Sequence, residues 1–252
     1  MEFLFLIPLA FLAGLIDAAV GGGGLIQIPA LFAALPNANP TALLGSNKFA
    51  SIWGTASASL NYLRRIKIPW RVILPSAATA FASSFAGAQL ANQLPSAIIR
   101  PLIIVLLAGM LFYTWRRPAL GQVDAQRELT RQDVMIGMLL GALIGFYDGF
   151  FGPGTGSFLV FLFVRFFHFD FLRATACAKI VNLTTNAAAL LFFIPAKLVL
   201  FGYAIPMAIA NIAGAQLGSQ LALRGGNHWV RRLFLLLALL LLGKLVYQQL
   251  MA

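Results

Sequence analysis

"GLIDAAVGGGGLIQIP", residues 14–29, places one aspartate and four consecutive glycines inside an otherwise apolar segment. "GFYDGFFGPGTGSFLV", residues 145–160, repeats the pattern. Within a membrane segment, glycine and proline free backbone groups that lipid cannot satisfy. Such breaks persist only where protein or a watery cavity covers them. Each stretch therefore predicts one helix ending at depth and another beginning there. The exposed N–H groups and positive dipole end of such a start attract anions, which makes Gly22, Gly23, Gly24, Gly154, Thr155 and Gly156 candidate anion contacts. Close packing of helices through small residues is the competing reading. It gives no reason for Asp17 and Asp148, each four residues before its break. Neither stretch is a nucleotide loop, because no Gly-Lys-Ser/Thr follows.

Composition supplies the membrane. The chain has 252 residues, 60% hydrophobic and 10% charged, with a mean hydropathy of +0.87, whereas soluble domains are about a quarter charged. Runs such as "PLIIVLLAGMLFYTW" and "LFLLLALLLLGKLV" approach the ~20 residues of a spanning helix. The class is an all-α integral membrane protein; a barrel would show short alternating strands. The net charge of +11 sits between apolar runs, as in "RRIKIPWR" (64–71), Arg116 with Arg117, and Arg231 with Arg232. That distribution sets orientation in a bilayer and does not call for nucleic acid. Cys177 is the single cysteine, and His168 and His228 stand alone, so neither a disulfide nor a metal site is expected, and no cofactor is implied. Glu2 occupies the place of a basic signal-peptide n-region, so the first apolar segment is expected to be retained.

A shift of 131 (148 − 17) superposes Asp17 on Asp148, Gly21 on Gly152, Lys48 on Lys179, Pro75 on Pro206 and Gly87 on Gly218. Two homologous halves follow, 1–115 and 133–252, joined by a polar linker at 116–132 expected in the cytoplasm. Apolar pieces lie near 3–20, 24–36, 42–63, 72–91 and 98–115, then near 133–151, 156–168, 174–195, 203–223 and 230–250. The second piece of each half is too short to span at 1.5 Å per residue, and with its predecessor it forms a glycine-broken hairpin. Loop 64–71 is basic while its counterpart 196–202 holds only Lys197; loop 92–97 has no basic residue while 224–232 has Arg224, Arg231 and Arg232. The bias reverses between halves, so the repeats of five segments are expected to be inverted.

Asp17, Asp148, Lys48 and Lys179 all fall within these segments. On insertion scales four such charges cost on the order of 10 kcal/mol, so pairing or hydration must offset them. Asp17 with Lys48, and Asp148 with Lys179, are the expected structural locks. Functionally, the lysines would bind an anion while an aspartate carries protons. Lys48, Ser51, Thr55, Ser59 and Tyr62 recur along one helical face, and Lys179, Asn182 and Asn186 occupy the matching stripe. Such a face points to a lined cavity, or to interhelical hydrogen bonds. Small residues every fourth position, Thr79, Ser83 and Gly87 against Ala210, Gly214 and Gly218, suit close helix contact. Asn211, Gln89 and Gln220 are further candidates to reach the cavity.

"GLIDAAVGGGGLIQIPAL" with "GSNKFASIWGT", then "GFYDGFFGPGTGSFL" with "ATACAKIVNLTTNAAAL", resemble the TauE/SafE (TSUP, sulfite exporter-type) family of bacterial permeases over nearly the whole chain. The resemblance implies a multi-pass inner-membrane transporter of small, often sulfur-containing anions such as sulfite, sulfonates or sulfoacetate. By position it carries over Asp17, Gly21 to Gly24, Asn47, Lys48, Asp148, Gly152 to Gly156, Lys179, Asn182 and Asn186. The expected protein is a secondary carrier, not an enzyme, whose partners are the bilayer, an anionic solute and protons. Lys48 and Lys179 supply charge, and Asn182, Asn186, Ser51 and Thr55 donate hydrogen bonds. A passive anion channel and a non-transporting membrane subunit are the alternatives.

Overall fold

The computed structural model describes residues 2–91 and 128–250, with backbone alone at 227, 231 and 233–250. The described elements are helices: α1 (Glu2–Val20), α2 (Gly24–Ala34), α3 (Pro40–Leu63), α4 (Trp70–Leu90), α5 (Arg131–Phe150), α6 (Thr155–Phe167), α7 (Phe171–Phe193) and α8 (Phe201–Leu250). Local chemistry sets several starts. Asn39 caps α3 by accepting from the Thr41 N–H, with Pro40 in the first turn. Thr130 and Asp133 close a capping box on α5, and Asp170 caps α7 by accepting from the Arg173 N–H. Each satisfies N–H groups that a helix start leaves without partners.

Helices α1, α5 and α7 are long and apolar enough to cross a membrane. α3 has 24 residues, about 36 Å of helix, but Lys48 and its hydroxyl side chains lower its hydropathy. α2 and α6, at 11 and 13 residues, reach only about 16 and 20 Å, short of the ~30 Å hydrocarbon core.

One boundary is tighter than the sequence expectation. The pieces expected at 203–223 and 230–250 are two helical sections of α8, separated by a break at Gly226 (φ 64°, ψ −167°), which leaves helical geometry. The break is confined to one permissive residue, narrower than the loop expected at 224–232. The fifth piece of the first half, loop 92–97 and the linker through residue 127 lie outside the described residues.

The halves are interleaved. α1 packs chiefly on α8 and α4 on α5; α3 adds to α8, α7 adds to α4, and α3 meets α7. Each of these contacts has its counterpart when the halves are exchanged. The register agrees residue by residue. A side chain at Gly14 would strike the Asn211 carbonyl, and one at Gly145 the Ala80 carbonyl; Gly87 abuts the Phe146 carbonyl as Gly218 abuts that of Leu15. The small-residue stripes of α4 and α8 therefore face α5 and α1, the first helices of the opposite halves. Gly45 lies against the Leu198 carbonyl and Phe193, and Ser46 Oγ accepts from the Leu200 N–H at 2.8 Å. The start of α3 thus lies beside the end of α7.

Candidate functional site

The two glycine breaks meet. Gly21 takes φ +77°, and a Cβ there would fall inside contact distance of the Gly156 carbonyl carbon. Only glycine supplies both the left-handed backbone and that approach. The aspartate before the first break has a local task as well, because Asp17 Oδ1 accepts the Gly23 N–H at 3.2 Å. Tyrosines satisfy carbonyls around the breaks. The Tyr62 hydroxyl donates to the Ala18 carbonyl at 2.8 Å, and that of Tyr147 to the Pro153 carbonyl at 2.6 Å. Backbone freed by the breaks is thus covered by protein, as a bilayer demands.

The lysines pair across the halves, not within them. Lys48 Nζ lies 2.6 Å from Asp148 Oδ2, and Lys179 Nζ 2.7 Å from Asp17 Oδ2. The expected locks of Asp17 with Lys48 and of Asp148 with Lys179 are therefore corrected. The cause is helix packing. Interleaving of the halves carries each aspartate to the lysine of the opposite half. Lys179 is fully buried and Lys48 is 4% exposed, so each ammonium depends on its carboxylate.

Between the breaks is a small cavity lined by the two aspartates, Lys48, Asn47, Ser51, Asn182 and Asn186, and by Gly22, Gly24, Gly152, Gly154, Thr155 and Gly156. The space open to the centre of a water molecule is about 20 Å³, room for about one water. Gly24 opens α2, and Thr155 and Gly156 open α6, so two helix N-termini border this space and add partial positive charge. Asn186 Nδ2 donates to Asn182 Oδ1 at 3.5 Å.

Three candidates do not line the cavity. Lys179 is fully buried and paired with Asp17, which does line it. Gly23 turns its N–H to Asp17. Thr55 is buried with a hydroxyl that has no hydrogen-bond partner among the described residues, one turn of α3 beyond Ser51. Gly152 lines the cavity although the residue-by-residue reading gave it no contact role; a Cβ there would lie 3.1 Å from Lys48 Nζ. The Gly-Pro-Gly spelling was the available signal. Asn211 does not reach the cavity either: its Nδ2 donates to Gln27 Oε1 at 2.9 Å and to the Ala10 carbonyl at 3.2 Å. Gln89 is exposed, and Gln220 lines a separate pocket.

Apolar helices, two protein-covered breaks and buried charge pairs around a polar space define a multi-pass membrane protein of the permease class. The chain matches the sulfite exporter TauE/SafE family over residues 6–245 and belongs to it. Curated relatives carry the name of probable membrane transporter proteins. One from Sinorhizobium is 37% identical over 96% of this chain and 91% of its own length. One from Escherichia coli K12 is 34% identical over 94% and 87%, and one from Haemophilus influenzae 34% over 95% and 92%. No solved structure matches the chain significantly.

Proposed function

We propose that this protein is a secondary-active carrier of a small anion in the bacterial inner membrane, working by alternating access between two inverted halves, 1–115 and 133–252. The observation that carries the reading is the crossed set of four charges around a polar space bordered by two helix N-termini. The contact of the start of α3 with the end of α7 supports inversion, since equivalent helices then run in opposite directions. The family's printed description, sulfite exporter, favours a sulfur oxyanion or sulfonate as the solute.

Charge balance gives the mechanism its form. Lys48, Lys179, Asp17 and Asp148 sum to zero formal charge, so an arriving monoanion leaves the site at minus one. A buried uncompensated charge costs several kcal/mol. A proton taken up by Asp148 or Asp17 restores neutrality and releases a lysine to the anion, which couples anion to proton. Asn47, Ser51, Asn182 and Asn186 then offer hydrogen bonds, and the N-termini of α2 and α6 add dipole attraction. Room for about one water does not admit a sulfonate, so binding requires the halves to move apart on one side, as rocking provides.

Reconstitution into proteoliposomes tests this. Sulfite or a sulfonate should show saturable uptake and counterflow, and Lys48→Ala and Lys179→Ala should lose them while still inserting. Current without counterflow would make the protein a channel, and unchanged kinetics in both variants would remove the anion site.

A further inference from the structure

A second space lies away from the glycine breaks, between the C-terminal end of α3 and the part of α8 just before its bend. It is lined by Asn61, Arg64, Arg65, Gln220, Leu223 and Arg224, with about 350 Å³ open to the centre of a water molecule. That is the size range of small-ligand pockets. Among the described residues no carboxylate pairs with any of the three arginines. Helix ends attract basic residues for their own sake, because a C-terminus carries about half a negative charge. Two such ends, of α3 and of the first section of α8, offset about one of the three guanidinium charges. About two positive charges remain without a counter-ion.

The pocket's walls are held at a fixed spacing. Asn61 Nδ2 donates to Gln216 Oε1 at 2.9 Å and to Ser219 Oγ at 2.8 Å, and Gln216 Nε2 donates to Ser57 Oγ at 2.7 Å. This polar seam locks α3 to α8 directly below the arginines. Along the same two helices, Leu60, Leu63, Leu217 and Leu221 are exposed, all within two turns of Arg64 or Arg224. A ligand matching both features carries anionic oxygens at one end and a hydrocarbon chain at the other. Free phosphate would satisfy the arginines and leave the leucines unused. Guanidinium groups grip phosphate oxygens through paired, charge-assisted hydrogen bonds, and basic pockets between membrane helices hold lipid headgroups in this way.

We propose that the pocket formed by Arg64, Arg65 and Arg224 binds the phosphate headgroup of an anionic phospholipid, whose acyl chain lies over the exposed leucines of α3 and α8. The proposal is independent of the transport reading, since its ligand is a membrane component and its site lies outside the cavity between the breaks.

Native mass spectrometry of the full chain in detergent, titrated with phosphatidylglycerol, tests it. The triple variant Arg64→Gln/Arg65→Gln/Arg224→Gln should bind the lipid roughly tenfold or more weakly than wild type. A Lys67→Gln/Arg71→Gln variant changes nearby charges outside the pocket and should bind within about twofold of wild type. Should the triple variant fail to fold, Arg224→Gln alone should weaken binding by roughly threefold, and its melting temperature without lipid should match wild type. Equal lipid binding by wild type and the pocket variants would overturn the proposal. So would an equal loss in the Lys67/Arg71 control, which would reduce the effect to general surface charge. A parallel arm uses inorganic phosphate. If phosphate raises the melting temperature through the same arginines while the lipid does not bind, the lipid source is overturned in favour of a soluble anion.

Discussion

Replacing Asp148 by asparagine leaves the Lys48 ammonium, 4% exposed, without its counter-ion 2.6 Å away. Breaking a buried pair from one side costs about 3–5 kcal/mol. For a chain of this length each kcal/mol lowers the melting temperature by about 2–4 °C, so a fall of roughly 6–20 °C is expected. The double change Lys48→Met/Asp148→Leu removes both charges together. Paired removal of this kind is often neutral or stabilising, so the double variant should melt near wild type and give a coupling energy of about 3 kcal/mol or more. Lys48→Met/Asp17→Leu instead takes one member from each pair, so its losses should add and not cancel. Unfolding followed by tryptophan fluorescence in detergent reads all of these. If the Lys48/Asp17 double variant recovers more stability than the Lys48/Asp148 one, charge is neutralised within each half and the crossed arrangement is wrong.

Asp17→Asn and Asp148→Asn should flatten the rise of anion flux with falling pH in proteoliposomes, because an asparagine takes up no proton; a profile as steep as wild type in both would leave the aspartates a structural role alone. Gly21→Ala forces a side chain into φ +77° against Gly156, costing ~1–3 kcal/mol in backbone strain before the clash is counted, whereas Gly202→Ala, with open space around it, should raise stability by up to about 1 kcal/mol. Comparing their melting temperatures checks both. Reporter fusions in 64–71 and in 196–202 should report opposite faces of the membrane, and agreement between them would refute inversion.

Most of the helix plan was readable because membrane segments advertise themselves by apolar length, and because glycine clusters mark breaks that lipid cannot tolerate. Both short helices follow from that alone, while helical spacing placed Lys48 and Ser51 on one stripe and Asn182 and Asn186 on the matching one. What a stripe cannot give is depth. Thr55 and Asn186 hold equivalent positions, yet only Asn186 lines the cavity. Partner choice among like-placed charges was equally hidden, because sequence proximity favours Asp17 with Lys48 while interleaved packing carries Asp17 to Lys179. Gly225 and Gly226 read as part of a loop, and the break between the two helices does fall there, confined to Gly226.

The crossed pairs also bear on how the chain is made. The carboxylate that meets Lys48 is synthesised 100 residues after it (148 − 48), about 5–20 s at ordinary ribosome speeds. Through that interval the newborn N-terminal half holds a membrane-embedded ammonium still waiting for its mate. Until α5 arrives that charge lacks its final counter-ion, and an N-terminal half produced by itself lacks the carboxylate that Lys48 meets in the full chain.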